Sequence, residues 1–193
     1  IVFQDITERQ KASQIIRHMA NHDALTKLPN RNYLLQRLPQ AVSLAKRQSR
    51  RLFLLFIDLD RFKPVNDEYG HAVGDIVLVQ VGKRLTRAMR ASDSVCRLGG
   101  DEFVILLESA TTLNGALMVA ERAIELLNEP IKVKELVCSI GASIGIAIYP
   151  DDSEDADVLL RHADQAMYAA KKKGRNCWHL YGDQIKIAAP LSE

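Results

Sequence analysis

Residues Arg51 to Asp58, reading RLFLLFID, restrict the fold of this chain more than any other stretch. An unbroken apolar run leaves no polar face, so it predicts a strand covered on both sides at the centre of a sheet. Such a strand needs helices above and below it, and the flanking segments supply them. From Asn30 to about Arg47, Leu34, Leu35, Leu38, Val42 and Ala45 share one helical side. Beyond a loop from Pro64 to His71, a long helix carries Leu78, Val81, Leu85 and Met89. Leu113 to Leu127 turns Leu117, Ala120, Ile124 and Leu127 inward. Ala156 to about Lys173 carries Leu159, Leu160, Ala163, Met167 and Ala170, with Gly174 as its C-cap. Glu135 to Tyr149 reads as one long strand and Cys177 to Tyr181 as an edge strand. The expected class is α/β, with a mixed central sheet of about five strands and helices on its faces.

Composition narrows the setting. With 193 residues, 47% hydrophobic and 26% charged, the chain suits one soluble domain with a substantial core. A net charge of +2 is too mild to argue for DNA or RNA, and no nucleic-acid partner is expected. No apolar run is long enough to cross a bilayer, and the first residues do not read as a signal peptide. Cys96, Cys138 and Cys177 are scattered and odd in number, which predicts free, core-filling thiols in a reducing compartment, the cytoplasm. A membrane anchor elsewhere in a parent chain stays open. Residues 1–22 begin like the end of a strand and continue as a polar helix from Asp5 to His22. Its sparse apolar residues cannot fold alone, so the expectation is a signalling helix joining an upstream sensor to a domain over 23–181. Residues 182–193 form a tail.

The candidate chemistry gathers at Gly99-Gly100-Asp101-Glu102, between the β-prone segments Ser94-Val95-Cys96 and Val104 to Leu107. Two apolar runs joined by a Gly-containing turn read as a hairpin. Glycines permit close backbone approach and carboxylates are hard oxygen donors, so a cation or a phosphate-bearing ligand is expected there. Asp58 ends the central strand. If that strand pairs with the hairpin, Asp58 and Asp101 meet on one rim, a donor set suited to Mg²⁺ or Mn²⁺ with positions left for phosphate oxygens. The segment Leu59 through Phe62 and Lys63 can offer N–H groups and a cation to phosphate. Lys171 and Arg175, four apart, flank the end of the last helix, where they would also suit its dipole. Asn66 and Asp75 can read a guanine edge or cap the following helix.

Several segments together resemble the GGDEF family of diguanylate cyclases. They are Asp23 through Arg31, Phe56 through Lys63, Asn66 through His71, Gly74-Asp75, the complete Gly99-Gly100-Asp101-Glu102-Phe103, and Ala170-Lys171 through Gly174-Arg175-Asn176. Lys27 departs from the usual Gly, outside the chemistry. The resemblance covers roughly residues 22–181 and implies a fold like nucleotidyl-cyclase and polymerase palms. It implies condensation of two GTP into cyclic di-GMP with release of pyrophosphate, by two domains facing each other in a homodimer. Asp58, Asp101, the Leu59 carbonyl and Glu102 would then bind metal, and Asp101 would activate the ribose 3′-hydroxyl. Asn66 and Asp75 would read guanine, the Gly99-Gly100 turn would approach the substrate, and Phe62, Lys63, Lys171 and Arg175 would hold the triphosphate. Arg90 and Asp93, otherwise a surface pair at a helix end, match an Arg-x-x-Asp site for product inhibition, with Arg122 as its second arginine. The alternatives are a sensor that binds GTP or cyclic di-GMP without turnover, and a weak domain regulating an adjoining EAL phosphodiesterase domain.

Overall fold

A computed structural model describes residues 19–108, 110 and 112–182. Helix α1 spans Arg31–Gln48 and leads into β1, Leu52–Asp60, followed by α2 (Phe62–Tyr69) and α3 (His71–Ala88). Strands β2 (Ser94–Gly99) and β3 (Glu102–Leu107) precede α4 (Leu113–Asn128), β4 (Ile131–Val133), β5 (Leu136–Cys138) and β6 (Gly141–Tyr149). Helix α5 (Ala156–Lys172) and β7 (Trp178–Leu180) complete the order. The main sheet runs β2-β3-β1-β6-β7, so β1 is central as its apolar run requires, and all nine of its residues are buried. β1 is antiparallel to β3 and β6, while β7 lies parallel to β6, which makes the five-stranded sheet mixed.

Alternation along β1 divides the core into two layers. Phe53, Leu55, Ile57 and Leu59 pack with Val77, Val81 and Leu85 of α3 and Ala116 and Ala120 of α4. Leu52, Leu54 and Phe56 pack with Leu34 and Leu38 of α1 and Leu159, Ala163 and Met167 of α5. Helix α5 lies directly on β6: a Cβ built on Gly145 would stand 2.0 Å from the Ala163 carbonyl and the Met167 amide. On the α1/α5 face the even-numbered series of β1 ends in acids, Asp58 and Asp60, only 8% and 5% exposed.

Four expectations need correction. The loop expected from Pro64 to His71 contains α2; proline stands in its first turn, where no intrahelical N–H is required. The single strand expected over Glu135 to Tyr149 is two, because β5 folds back on β4 as a separate two-stranded sheet before β6 joins β1. Leu35 is 42% exposed and Ala41 takes its place in the core. Lys173 is the C-cap of α5, with Gly174 following at φ 125°. Cys96 and Cys138 are buried and Cys177 half-buried, all three free. Of the polar helix expected up to His22, residues 19–21 are helical; 1–18 and the tail 183–193 lie outside the described residues. No helix among the described residues is long and apolar enough to cross a membrane.

Candidate active site

The β1–β3 ladder sets Asp58 directly opposite Glu102, and the β1–β6 ladder sets Ser143 opposite Asp58 on the other side. Opposed residues share a face, so Glu102, Asp58 and Ser143 form one row across three strands. The hairpin turns through Gly100 (φ 51°) and Asp101, and the Leu59 N–H donates to the Asp101 carbonyl at 3.2 Å. Asp58, Leu59, Asp101 and Glu102 thus meet at one rim. Lys171, near the end of α5, reaches over it and places Nζ 2.8 Å from Asp58 Oδ2.

The electrostatics of this rim are unfavourable without further positive charge. Burial pushes the Asp58 carboxyl up; the Lys171 hydrogen bond pulls it down, and the charges of Asp101 and Asp60 push it up again. Burial raises Glu102 as well, followed by the charges of Asp58, Asp164 and Asp101. Like charges set directly opposite on a sheet destabilise it. Hard oxygen donors under mutual repulsion fit Mg²⁺ or Mn²⁺ in chemistry. No three His, Cys, Asp or Glu side chains among the described residues form a metal cage, so water or phosphate oxygens would complete the ion's ligands.

The remaining candidates surround this rim. Phe62 is buried and Lys63 exposed in the first turn of α2, where N–H groups have no intrahelical acceptor. Asn66 on α2 lies against α3, since a Cβ built on Gly74 would stand 1.9 Å from its Oδ1. Asp75 is exposed on α3. Neither side chain caps α3, whose cap is Gly70 without a side-chain bond. Arg175 stands 3.9 Å from Asp60 with its side chain 62% exposed. Farther along the chain, Arg90 and Asp93 form the α3–β2 turn: Asp93 accepts the Arg90 N–H at 3.3 Å and the Glu108 N–H at 3.2 Å. Arg122 lies on the exposed side of α4, 3.3 Å from Glu125.

Two features of the site escaped the sequence reading. Asp60 is buried and accepts from Ser143 and Asn176; its period-two spacing from Asp58 was the signal. Arg97, 9% exposed within β2, donates Nε and Nη2 to the Gly100 carbonyl at 3.1 and 2.7 Å and Nη1 to Asp23 Oδ1 at 2.9 Å. Asp23 also accepts the Thr26 amide at 2.8 Å and hydroxyl at 2.6 Å. Burial works against its ionisation, but Thr26 and Arg97 together hold the carboxyl below its ordinary 3.8. The loop entering the domain therefore clamps the turn that carries Asp101. A lone arginine in an apolar strand was the available signal.

Fold and site define a class: an α/β domain with an acidic hairpin turn at the rim of a mixed sheet. The chain belongs to the GGDEF family, whose model, described as the diguanylate cyclase GGDEF domain, matches residues 20–177. Among curated relatives, the bifunctional diguanylate cyclase/cyclic di-GMP phosphodiesterase MucR of Pseudomonas aeruginosa is 45% identical over 183 residues, 95% of this chain and 27% of MucR. The chain therefore spans about a quarter of that relative. The solved GGDEF domain of TpbB from Pseudomonas aeruginosa superposes with a TM-score of 0.81 at 41% identity, covering 87% of this chain and 99% of that one. The coiled coil and GGDEF domain of DgcB from Caulobacter crescentus, solved in complex with c-di-GMP, gives 0.83 at 26% identity, covering 93% and 95%.

Proposed function

We propose that this chain is a diguanylate cyclase module that joins two GTP molecules into cyclic di-GMP. The observation that carries the reading is the carboxylate row at the sheet rim, Glu102 opposite Asp58 beside the Asp101 turn, countered by Lys171. Asp58, Asp101, Glu102 and the Leu59 carbonyl would hold Mg²⁺ or Mn²⁺. When bound, such an ion offsets charge on the transferring phosphate. Phe62 and Lys63 contribute first-turn N–H groups, and Lys63, Lys171 and Arg175 contribute charge to the triphosphate. Asp75 accepts from the guanine N1–H and exocyclic amine while Asn66 uses its amide on the same base.

Asp101 takes the proton of the ribose 3′-hydroxyl. In each of two transfers a bond forms between the 3′-oxygen of one GTP and the α-phosphorus of the other. The bond to the departing pyrophosphate breaks. One domain holds one GTP, so two copies must face each other as a homodimer. Cyclic di-GMP returns to Arg90, Asp93 and Arg122 as an inhibitor: the guanidinium groups can pair with phosphate or stack on guanine. GTP supply places the domain in the cytoplasm. Residues 1–22 would transmit a signal from an upstream sensor into domain 23–181, and 182–193 would lead toward a downstream EAL domain.

The bifunctional description of MucR favours a second reading, a weak cyclase that regulates an adjoining phosphodiesterase. Product formation from GTP and Mg²⁺ over rising protein concentration, with Asp101→Ala alongside, tests the choice. Output that rises faster than linearly and vanishes in the variant establishes the cyclase. GTP binding without product at high concentration leaves the regulator.

A further inference from the structure

Asp60 has a buried carboxylate that the chemistry above does not use, and its surroundings show what it holds. Ser143 Oγ donates to Oδ1 at 2.9 Å and lies 3.0 Å from Oδ2. The Asn176 N–H donates to Oδ2 at 2.9 Å, and Arg175 Nε stands 3.9 Å from Oδ1. Both oxygens are therefore occupied on the side of β6 and residues 174–176. Those residues leave α5 in an unfavoured backbone: φ is 125° at Gly174, 64° at Arg175 and 49° at Asn176. An arginine gains nothing from a left-handed conformation, and two such non-glycine residues in succession persist only where their surroundings hold them.

Two contacts besides Asp60 supply that hold. The Arg175 N–H donates to the Ala170 carbonyl at 3.2 Å. The Asn176 side chain sits where Gly141 has no Cβ, since a carbon built there would lie 2.9 Å from Asn176 Oδ1. Asp60, Arg61 and residues 174–176 line an open cavity of about 470 Å³ together with Asn128 and residues 139–141. We propose that Asp60 is a positioning residue for Arg175: its carboxylate fixes the 174–176 turn and so aims the guanidinium at the triphosphate of GTP. This rests on the reading of Arg175 as a triphosphate ligand. It also separates the two acids at the end of β1, giving Asp58 to the cation and Asp60 to the brace.

The test uses the 193-residue chain and the affinity of a non-hydrolysable GTP analogue in saturating Mg²⁺, with the Mg²⁺ half-saturation point as a second readout. Arg175→Ala should weaken binding about tenfold, the size of one lost charge-assisted contact. Asp60→Asn should weaken it comparably, and the double variant should be no weaker than Arg175→Ala within about twofold. The Mg²⁺ half-saturation point should stay in place. If Arg175→Ala binds as wild type, the triphosphate reading fails and the inference falls with it. If Arg175→Ala weakens binding but Asp60→Asn does not, or the two losses multiply, the brace alone is overturned. A shifted Mg²⁺ point in Asp60→Asn also overturns it. Should Asp60→Asn fail to fold, Ser143→Ala takes its place: a loss of about threefold supports the brace, and wild-type affinity refutes it.

Discussion

Arg97→Ala is the sharpest test of how the Gly100-Asp101 turn is held. The change removes two donors from the Gly100 carbonyl and one from Asp23, whose side chain is 22% exposed. Bonds from a charged donor contribute about 1.5–3 kcal/mol each when an acceptor is left wanting. Gly100 and Asp23 are distinct acceptors, but Asp23 keeps both Thr26 donors and some water, which puts the total near the low end, about 3 kcal/mol. A domain of ordinary stability survives that loss. With a urea slope of about 2 kcal/mol/M, the midpoint should fall by roughly 1.5 M. Asp23→Ala should cost about 1–2 kcal/mol, and the double variant about 1 kcal/mol less than the sum of the singles. Cyclic di-GMP formation by folded Arg97→Ala should fall as well, because Asp101 follows Gly100 in the loosened turn. A midpoint shift under about 0.3 M, or full additivity with Asp23→Ala, would refute the clamp.

Other perturbations follow from the same geometry. Glu102→Gln removes a charge set opposite Asp58, so without metal the domain should gain about 0.2–1 kcal/mol by thermal melting in chelator, while stabilisation by added Mg²⁺ shrinks; a metal-free loss contradicts this. Because Asp58 and Glu102 are raised above their ordinary 3.8 and 4.5, the fold binds their protons more tightly than the unfolded chain does. Their contribution to metal-free stability therefore falls as pH rises through that window, and Mg²⁺ affinity should rise across it, which a titration from pH 4.5 to 7 checks. Asp23 has the opposite sign: its lowered value stabilises the fold above the ordinary 3.8, and the benefit is lost as pH falls through the folded value. Asp23→Asn should flatten the acid limb of urea midpoints, and an unchanged limb excludes this role. Gly74→Ala must push Asn66 aside, since the new Cβ would meet Oδ1 at 1.9 Å. Stability should stay within about 1 kcal/mol, given alanine's helix preference. Affinity for GTP should drop at least tenfold by calorimetry, and unchanged affinity removes Asn66 from the guanine site.

The parts legible in the sequence were those with one dominant local signal. RLFLLFID carries the pattern of a central strand and the Gly-Gly-Asp-Glu turn between apolar runs that of a hairpin; their pairing, and with it the meeting of Asp58 with Asp101, was a condition in the sequence that the β1–β3 ladder fulfils. Helix α2 was hidden because Pro64, Asn66 and Asp67 have turn chemistry, and only the first-turn position of the proline makes them helical. The break between β5 and β6 was hidden because apolar alternation continues across it. What separates the strands is pairing, with β5 on β4 and β6 on β1. For contacts distant in sequence, nothing local named the partner. Arg97 meets Asp23 across 74 positions, and Lys171 crosses from the far helix to Asp58. Both are ion pairs that composition cannot tell from solvated surface charge.

The placing of β1 between two later strands also sets a schedule for synthesis. Its partners are β3, ending at Leu107, and β6, ending at Tyr149, so a nine-residue strand with seven apolar side chains leaves the ribosome long before either partner exists. At roughly 5–20 residues per second, the wait for β6 lasts several seconds or more. During that time a segment destined to be buried along its whole length is open to chaperones and to neighbouring nascent chains. The residue order that makes Asp58 the centre of the finished rim also leaves its strand without partners through much of the chain's growth.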